Sequence, residues 1–446
     1  MKKVGKQSFK AEDAKRLRYA EYIRSVGVKP LETGKWEELK EFIYKPRNLQ
    51  TDVIMDDTTL REGLQMAGLT SPSSDDMCKI GCLLRDIGIE RIEVMTFTKT
   101  DQEAVKKMQD AGLGKLLAAW CRAAIEDIDI ALKFGFEQVG ISHPVSYIHF
   151  VKWSEKSLGE LVDKVVDSVI YARKHGLQVF VHGEDSTRAD WSFEKKFINA
   201  VADAGAITYR ICDTVGCGLS DQKAPLPAGI PEKIKRIKKE TRIPYVEIHA
   251  HDDLGNAVEN TMAAIRAASG LYDKVYASTT FLGIGDRAGN AETEKIIMNC
   301  YLHYNVKKWN LKYLREMANF LASSLNYHLP LNKAIVGDAA FEHESGIHLF
   351  GLKMHPLTYE IFPPELVGQE RRVVIGKRSG KYGIQMKVED VIGEKVDEKD
   401  SRLLKLVELI RDEFMRGERR FAFTEEEFKE LARKVGFEIK NDAPPK

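Results

Sequence analysis

The sequence predicts a (β/α)8 barrel, a TIM barrel, with an N-terminal helical extension and a C-terminal α-rich accessory region. Short apolar, β-branched runs alternate with helix-period segments eight times between residues 51 and 305. Histidine, acid and glycine-rich clusters follow directly after the strand candidates, where barrel enzymes keep their chemistry. No GxGxxG follows the first strand, as an open doubly wound sheet would usually show.

Residues 1–50 form the extension, with a charged helix expected over Ala11–Ser25 and a second over Trp36–Tyr44, punctuated by Pro30 and Pro46. The barrel spans 51–305. Its strand candidates are Val53–Met55, Ile92–Met95, Leu116–Trp120, Gln138–Ile141, Val179–His182, Ile207–Ile211, Val246–Ile248 and Lys274–Ala277. Helical patterns separate them, among them Ser74–Ile87, Leu158–Lys174, Trp191–Ala204 and Ala257–Ala268. From 306 to 446 the alternation stops. Leu311–Leu325, Ser401–Phe414 and Thr424–Val435 read as helices, the last opening with Thr424 and Glu427 as a capping box.

The chain has 446 residues and a formal net charge of +1, so no basic excess points to nucleic acid. No apolar run is long enough for a membrane span. The basic N-terminus lacks the apolar stretch of a secretory signal. Six cysteines without CxxC pairs suit reduced thiols in a cytoplasmic protein.

The chemistry starts from Tyr245–Asn260, YVEIHAHDDLGNAVEN. Residues i and i+2 of a strand face the same side, so His249 and His251 can converge on one ion. Taken alone, such a pair also fits polar groups satisfied at a strand end. After the first strand, DDTTLREGLQMAG carries Arg61, Glu62 and Gln65. Glutamate offers a hard oxygen donor and arginine a permanent cation for an oxyanion, although an isolated Arg–Glu pair is commonly a surface ion pair. After the eighth strand, TTFLGIGDRAGNAETE brings Gly283, Gly285 and Asn290. Its glycines allow backbone approach to a ligand, or simply a tight turn. Strands one, seven and eight are neighbours in a closed barrel. Glu62, His249, His251 and Asn290 would then give two nitrogen and two oxygen donors, with open positions for a bidentate 2-oxo acid.

DTTLREG, the HxHDDLG segment, GIGDRAGN and HESGIH together resemble the superfamily of isopropylmalate, homocitrate and citramalate synthases and Re-type citrate synthases, over residues 51–385. The resemblance implies a metal-dependent barrel that condenses acetyl-CoA with a 2-oxo acid and hydrolyses the thioester. It implies a divalent ion (Mn, Co, Zn or Mg) on Glu62, His249 and His251, with Asn290 a possible fourth ligand. Arg61 matches the arginine that stabilises enolate and alkoxide, and Glu184 in GEDSTRAD the strand-five glutamate. Thr214 in DTVG matches a residue near the oxo-acid carboxylate. His348 in HESGIH matches the general acid/base, assisted by Tyr359. Family dimers lend that histidine to the neighbouring active site, so a homodimer is expected; His343 and His348 could also merely cap loops.

Departures from the family pattern bear on the substrate. Homocitrate synthases place an arginine four residues before the strand-five glutamate to hold the distal carboxylate of 2-oxoglutarate; Phe180 stands there here, and His182 occupies the usual place of a small hydroxyl residue. A phenyl ring cannot pair a carboxylate. A shorter diacid could be held by His182, His143 or Arg122. These features, with the long N-terminal extension, favour oxaloacetate and a Re-type citrate synthase. The alternatives are homocitrate synthase and citramalate or 2-isopropylmalate synthase. A reading of another class is a non-catalytic metal-binding barrel.

Overall fold

The structure, a computed structural model, describes residues 10–153, 155–417 and 419–439. It has two compact units: one runs from Pro46 to Leu329, and the other joins residues up to Lys45 with those from Pro330 onward.

The first unit is a closed barrel of eight parallel strands in sequence order. They are β1 (Asp52–Asp57), β2 (Arg91–Val94), β3 (Leu117–Arg122), β4 (Gln138–Pro144), β5 (Gln178–Glu184), β6 (Thr208–Asp213), β7 (Tyr245–Ala250) and β8 (Lys274–Thr279). Closure is made by β8 on β1, paired from Asp52 with Lys274 to Asp57 with Thr279. The predicted alternation and fold class are therefore those observed. The connecting helices start where the sequence supplies caps. Ser73 with Asp76, Thr98 with Asp101 and Ser157 with Glu160 each form a capping box. Each satisfies two backbone N–H groups that the first helical turn leaves without partners. Helix Ser74–Ile87 buries Met77, Ile80, Leu84 and Ile87 at helical spacing and ends at Gly88, whose φ of 99° a side chain would resist. The barrel unit also takes in helix Leu314–Ser324, tied back by Lys79 to Glu316 at 3.8 Å and by the Thr70 N–H to the Leu325 carbonyl.

Part of the barrel interior is charged. Arg210 on β6 reaches across to Asp56 on β1, to Glu93 on β2 at 2.9 Å and to its neighbour Glu247 on β7 at 3.0 Å. Arg91 on β2 donates to Asp56 at 2.9 Å and Glu247 at 2.6 Å. All five side chains are buried, and strands on opposite sides can meet only through the interior. The guanidinium of Arg91 lies 3.9 Å above the Phe180 ring. An ordinary barrel fills these layers with branched aliphatic residues.

In the second unit, helices Lys381–Ile392, Ser401–Met415 and Glu425–Lys434 enclose a core that includes Ile384, Val388, Leu403, Leu406, Ile410 and Phe428. The Thr424–Glu427 capping box is present. Helix Gly346–Met354 packs against Lys381–Ile392, where a Cβ on Gly383 would come within 2.4 Å of Leu349. Helices Lys10–Val26 and Trp36–Tyr44 meet through Tyr19, Tyr22 and Phe42. No helix among the described residues is long and apolar enough to cross a membrane.

Candidate metal centre and active site

The carboxyl ends of β1 and β7 bring Glu62, His249 and His251 together, each buried, with one donor atom from each lying within 4.8 Å of the others. The alternation of β7 turns both imidazoles inward, and their ring centres are 5.0 Å apart. His249 has its Nδ1 at 2.9 Å from the Ser278 hydroxyl on β8, which leaves its Nε2 facing the cluster. The Nε2 of His251 is 3.8 Å from Glu62 Oε1. Arg61 holds the other Glu62 oxygen, so Oε1 is the one turned to the centre.

Asn290 comes in from the loop after β8. Its Nδ2 sits 3.3 Å from His249 Nε2, and its Oδ1 is buried without a hydrogen-bond partner. The amide presents Nδ2 to the cluster while Oδ1 lies against Gly285, so the fit to an ion rests on the convergence of Glu62, His249 and His251. The donor set therefore fits a divalent cation, with mixed N/O ligation suited to Mn, Co, Zn or Mg. Gly283 and Gly285 do not line the cavity at this centre. They let the loop fold: a Cβ on Gly285 would lie 2.1 Å from Asn290 Oδ1, and Gly283 has φ 70°.

Burial holds both imidazoles below the usual histidine range. For His249 the neighbouring His251 and Arg61 add to it; for His251 Arg287 adds to it while Glu62 works the other way. Neutral imidazole is the ligand form. Arg61 donates through Nε to Glu93 at 2.6 Å. Burial alone would raise the Glu93 carboxyl, but Arg210 and Arg61 hold it well below the usual range. Arg61 is thus a cation fixed from beneath.

These groups open on a cavity of about 320 Å³ whose lining includes Gln65, Trp120, Ser142, His182, Cys212 and Thr214, together with Glu184. The Asp185 N–H donates to the Thr214 hydroxyl at 2.8 Å, which leaves the Thr214 proton available to a ligand. Arg287 braces the rim, donating to Asp253 at 2.8 Å, Asp286 at 2.7 Å and the Thr214 carbonyl at 2.6 Å.

Arg122 and His143 are not brought to this cavity either. Arg122 is largely exposed and forks onto Asp127 at 2.7 and 2.9 Å. His143 points its Nδ1 at the Pro144 carbonyl at 2.8 Å and stacks on Phe197. His348 and Tyr359 belong to the second unit, where their rings lie 4.3 Å apart and both side chains are exposed. One residue near the site escaped the sequence reading. His149, after β4, places its Nδ1 3.0 Å from Glu184, and Lys152 reaches the same oxygen at 3.3 Å. Its signal was a histidine and a lysine three apart in the loop facing the strand-five glutamate.

Comparison with known proteins matches residues 52–321 to the family described as HMGL-like, and residues 335–413 to homocitrate synthase post-HMGL domain-like. The 2-isopropylmalate synthase of Methanocaldococcus jannaschii is 34% identical over 77% of this chain, which spans 64% of that protein's length. The (R)-citramalate synthase of the same organism is 34% identical over 80% of this chain and 70% of its own length. A homocitrate synthase of Methanopyrus kandleri is 32% identical over 87% of this chain and 94% of its own length. Among solved structures, the HMG-CoA lyase of Bacillus subtilis shares the fold at a TM-score of 0.51 and 19% identity, covering 64% of this chain and 97% of that one.

Proposed function

Because this chain belongs to the HMGL-like family, among relatives named for isopropylmalate, homocitrate and citramalate synthesis, we propose that it condenses acetyl-CoA with a 2-oxo acid and hydrolyses the thioester. The observation that carries this reading is the Glu62–His249–His251 cluster, with the fixed Arg61 beside it in the cavity lining. The oxaloacetate reading of the sequence gives way here. The relatives' names favour the isopropylmalate, homocitrate and citramalate alternatives over citrate synthesis.

A divalent ion bound by Glu62, His249 and His251 would supply a Lewis acid for the 2-oxo group. The remaining work falls to this chain's own side chains. The Thr214 hydroxyl, its oxygen occupied by the Asp185 N–H, donates to the substrate carboxylate. Glu184, flanked by His149 and Lys152, and a His348 lent by a second copy of the chain would handle protons: one leaves the acetyl methyl group and one reaches the new alkoxide. The carbon–carbon bond forms between that methyl carbon and the keto carbon, and Arg61 takes the charge developing on oxygen. Water then cleaves the thioester and releases CoA as its thiol. A histidine lent between two copies of the chain would make the working unit a homodimer. An idle metal-binding scaffold would have no use for a buried cation fixed this firmly beside the donor cluster.

The test is release of CoA thiol from acetyl-CoA with pyruvate, 2-oxoisovalerate, 2-oxoglutarate and oxaloacetate, each with Mn²⁺, Co²⁺, Zn²⁺ or Mg²⁺. Metal content is measured in parallel for the wild type and His249→Ala. Turnover and metal should be lost together in the variant. Turnover that persists without metal would overturn the assignment.

A further inference from the structure

The cavity is also lined by Trp120, Ser142, His182 and Cys212. Among the described lining residues the arginines are Arg61 and Arg287, and both are engaged by carboxylates: Arg61 by Glu62 and Glu93, Arg287 by Asp253 and Asp286. The guanidiniums beneath the floor, Arg91 and Arg210, are bound to Asp56 and Glu247, and Arg210 also to Glu93. No cation among these is left over for a second carboxylate.

His182 does not fill that gap. Its ring is buried, stacked over Phe180 with ring centres 5.8 Å apart. It lies against β4 where residue 140 is glycine; a Cβ there would stand 2.5 Å from His182 Nε2. Burial, reinforced by Arg210, holds the imidazole neutral, well below the usual range. Its Nε2 lies 3.4 Å from Glu93 Oε2 and has no hydrogen-bond partner. In a neutral ring one nitrogen carries the proton, and the carboxylate neighbour draws it to Nε2. The other nitrogen then offers a lone pair, which repels a carboxylate and can accept from a hydroxyl.

We propose that this cavity selects 2-oxo acids whose side chain is uncharged, and that His182, backed by Glu93, is the residue that excludes a second carboxylate. The proposal rests on the condensation reading above. A diacid would bury its distal charge where every nearby arginine is already held by a carboxylate, which is unfavourable.

The test compares 2-oxoglutarate with its 5-methyl ester, which keeps the chain and removes the distal charge, with pyruvate and 2-oxoisovalerate alongside. CoA release gives kcat/KM, and calorimetric titration gives binding without turnover. The ester should exceed the diacid by roughly a hundredfold or more in both readouts. In His182→Arg that ratio should collapse or reverse, whereas a merely structural role would lower both substrates alike. A diacid used as well as or better than its ester by the wild type would overturn the proposal while leaving the condensation reading intact. Absence of CoA release with every 2-oxo acid would overturn the condensation reading and this inference with it.

Discussion

Replacing Glu93 by glutamine tests whether the charged interior of the barrel holds the site in place. Glu93 is fully buried and accepts from Arg61 Nε at 2.6 Å and from Arg210 at 2.9 and 3.2 Å. Glutamine has nearly the same shape, so no cavity opens. The change removes one negative charge from between two arginines and turns an amide N–H₂ toward a donor. Breaking a buried ion pair by removing one partner costs about 3–5 kcal/mol, because the remaining charge stays buried and uncompensated. Against a domain stability of about 5–15 kcal/mol that is a large share.

The assay is thermal unfolding followed by calorimetry on wild type, Glu93→Gln, Arg210→Met and the double variant. Arg210 also binds Asp56 and Glu247, so Arg210→Met should be severe by itself. The double variant should be less destabilised than the sum of the two, by at least about 1.5 kcal/mol, since the second removal relieves a charge the first left unpaired. Turnover should fall as well, because Arg61 loses the carboxylate that aims it. A Glu93→Gln cost below about 1 kcal/mol, or strict additivity, would refute the claim that the interior works as one charge-balanced network.

Asn290→Ala should weaken metal retention roughly 10- to 100-fold in a chelator competition read by elemental analysis. Gly285→Ala should do the same, because its Cβ would take the place of Asn290 Oδ1; unchanged retention in both would remove Asn290 from the centre. His149→Ala should lower kcat/KM roughly 10- to 100-fold with metal content unchanged, since Glu184 loses its 3.0 Å partner; wild-type kinetics would assign His149 a structural place only. Burial pushes the Asp57 carboxyl up to about 6, although Thr59 and Thr293 hydrogen-bond it. A raised carboxyl contributes stability that is fully present below its unfolded value of about 3.9 and is lost as pH rises through the folded one. The contribution lost is about 3 kcal/mol. Thermal midpoints of wild type and Asp57→Asn should therefore draw apart between pH 4 and 7, the wild type losing more; parallel curves would contradict the assignment.

The barrel was legible because a strand buried on both faces is written as a short apolar run, and eight such runs alternate with helix-period segments here. The donor cluster was legible for a related reason. Alternation in β7 puts His249 and His251 on one face whatever the rest of the chain does, and barrel closure makes Glu62 and Asn290 their neighbours. The charged interior could not be read this way. Asp56 and Arg91 lie just outside the strand candidates, and Glu93, Arg210 and Glu247 within them carry no local sign of their partners. Only the closed barrel shows that β6 meets β1 and β2 across the inside. His149 was hidden likewise, since it matters through a residue on the next strand.

Phe180 shows where sequence reasoning and structure meet. The sequence treats it as a side chain of the substrate pocket, unable to pair a distal carboxylate. It lies instead beneath the cavity, buried, with Arg91 on its face and His182 stacked above. An arginine is therefore present in this layer, on β2 rather than β5, but Asp56 and Glu247 already neutralise it. The exclusion of a second carboxylate thus follows from His182 in the cavity wall and from the pairing of every cation around it, and not from residue 180. For that reason a single Phe180→Arg substitution should fail to create a diacid enzyme. The new guanidinium would be buried against Arg91, whereas His182→Arg places its charge in the cavity wall.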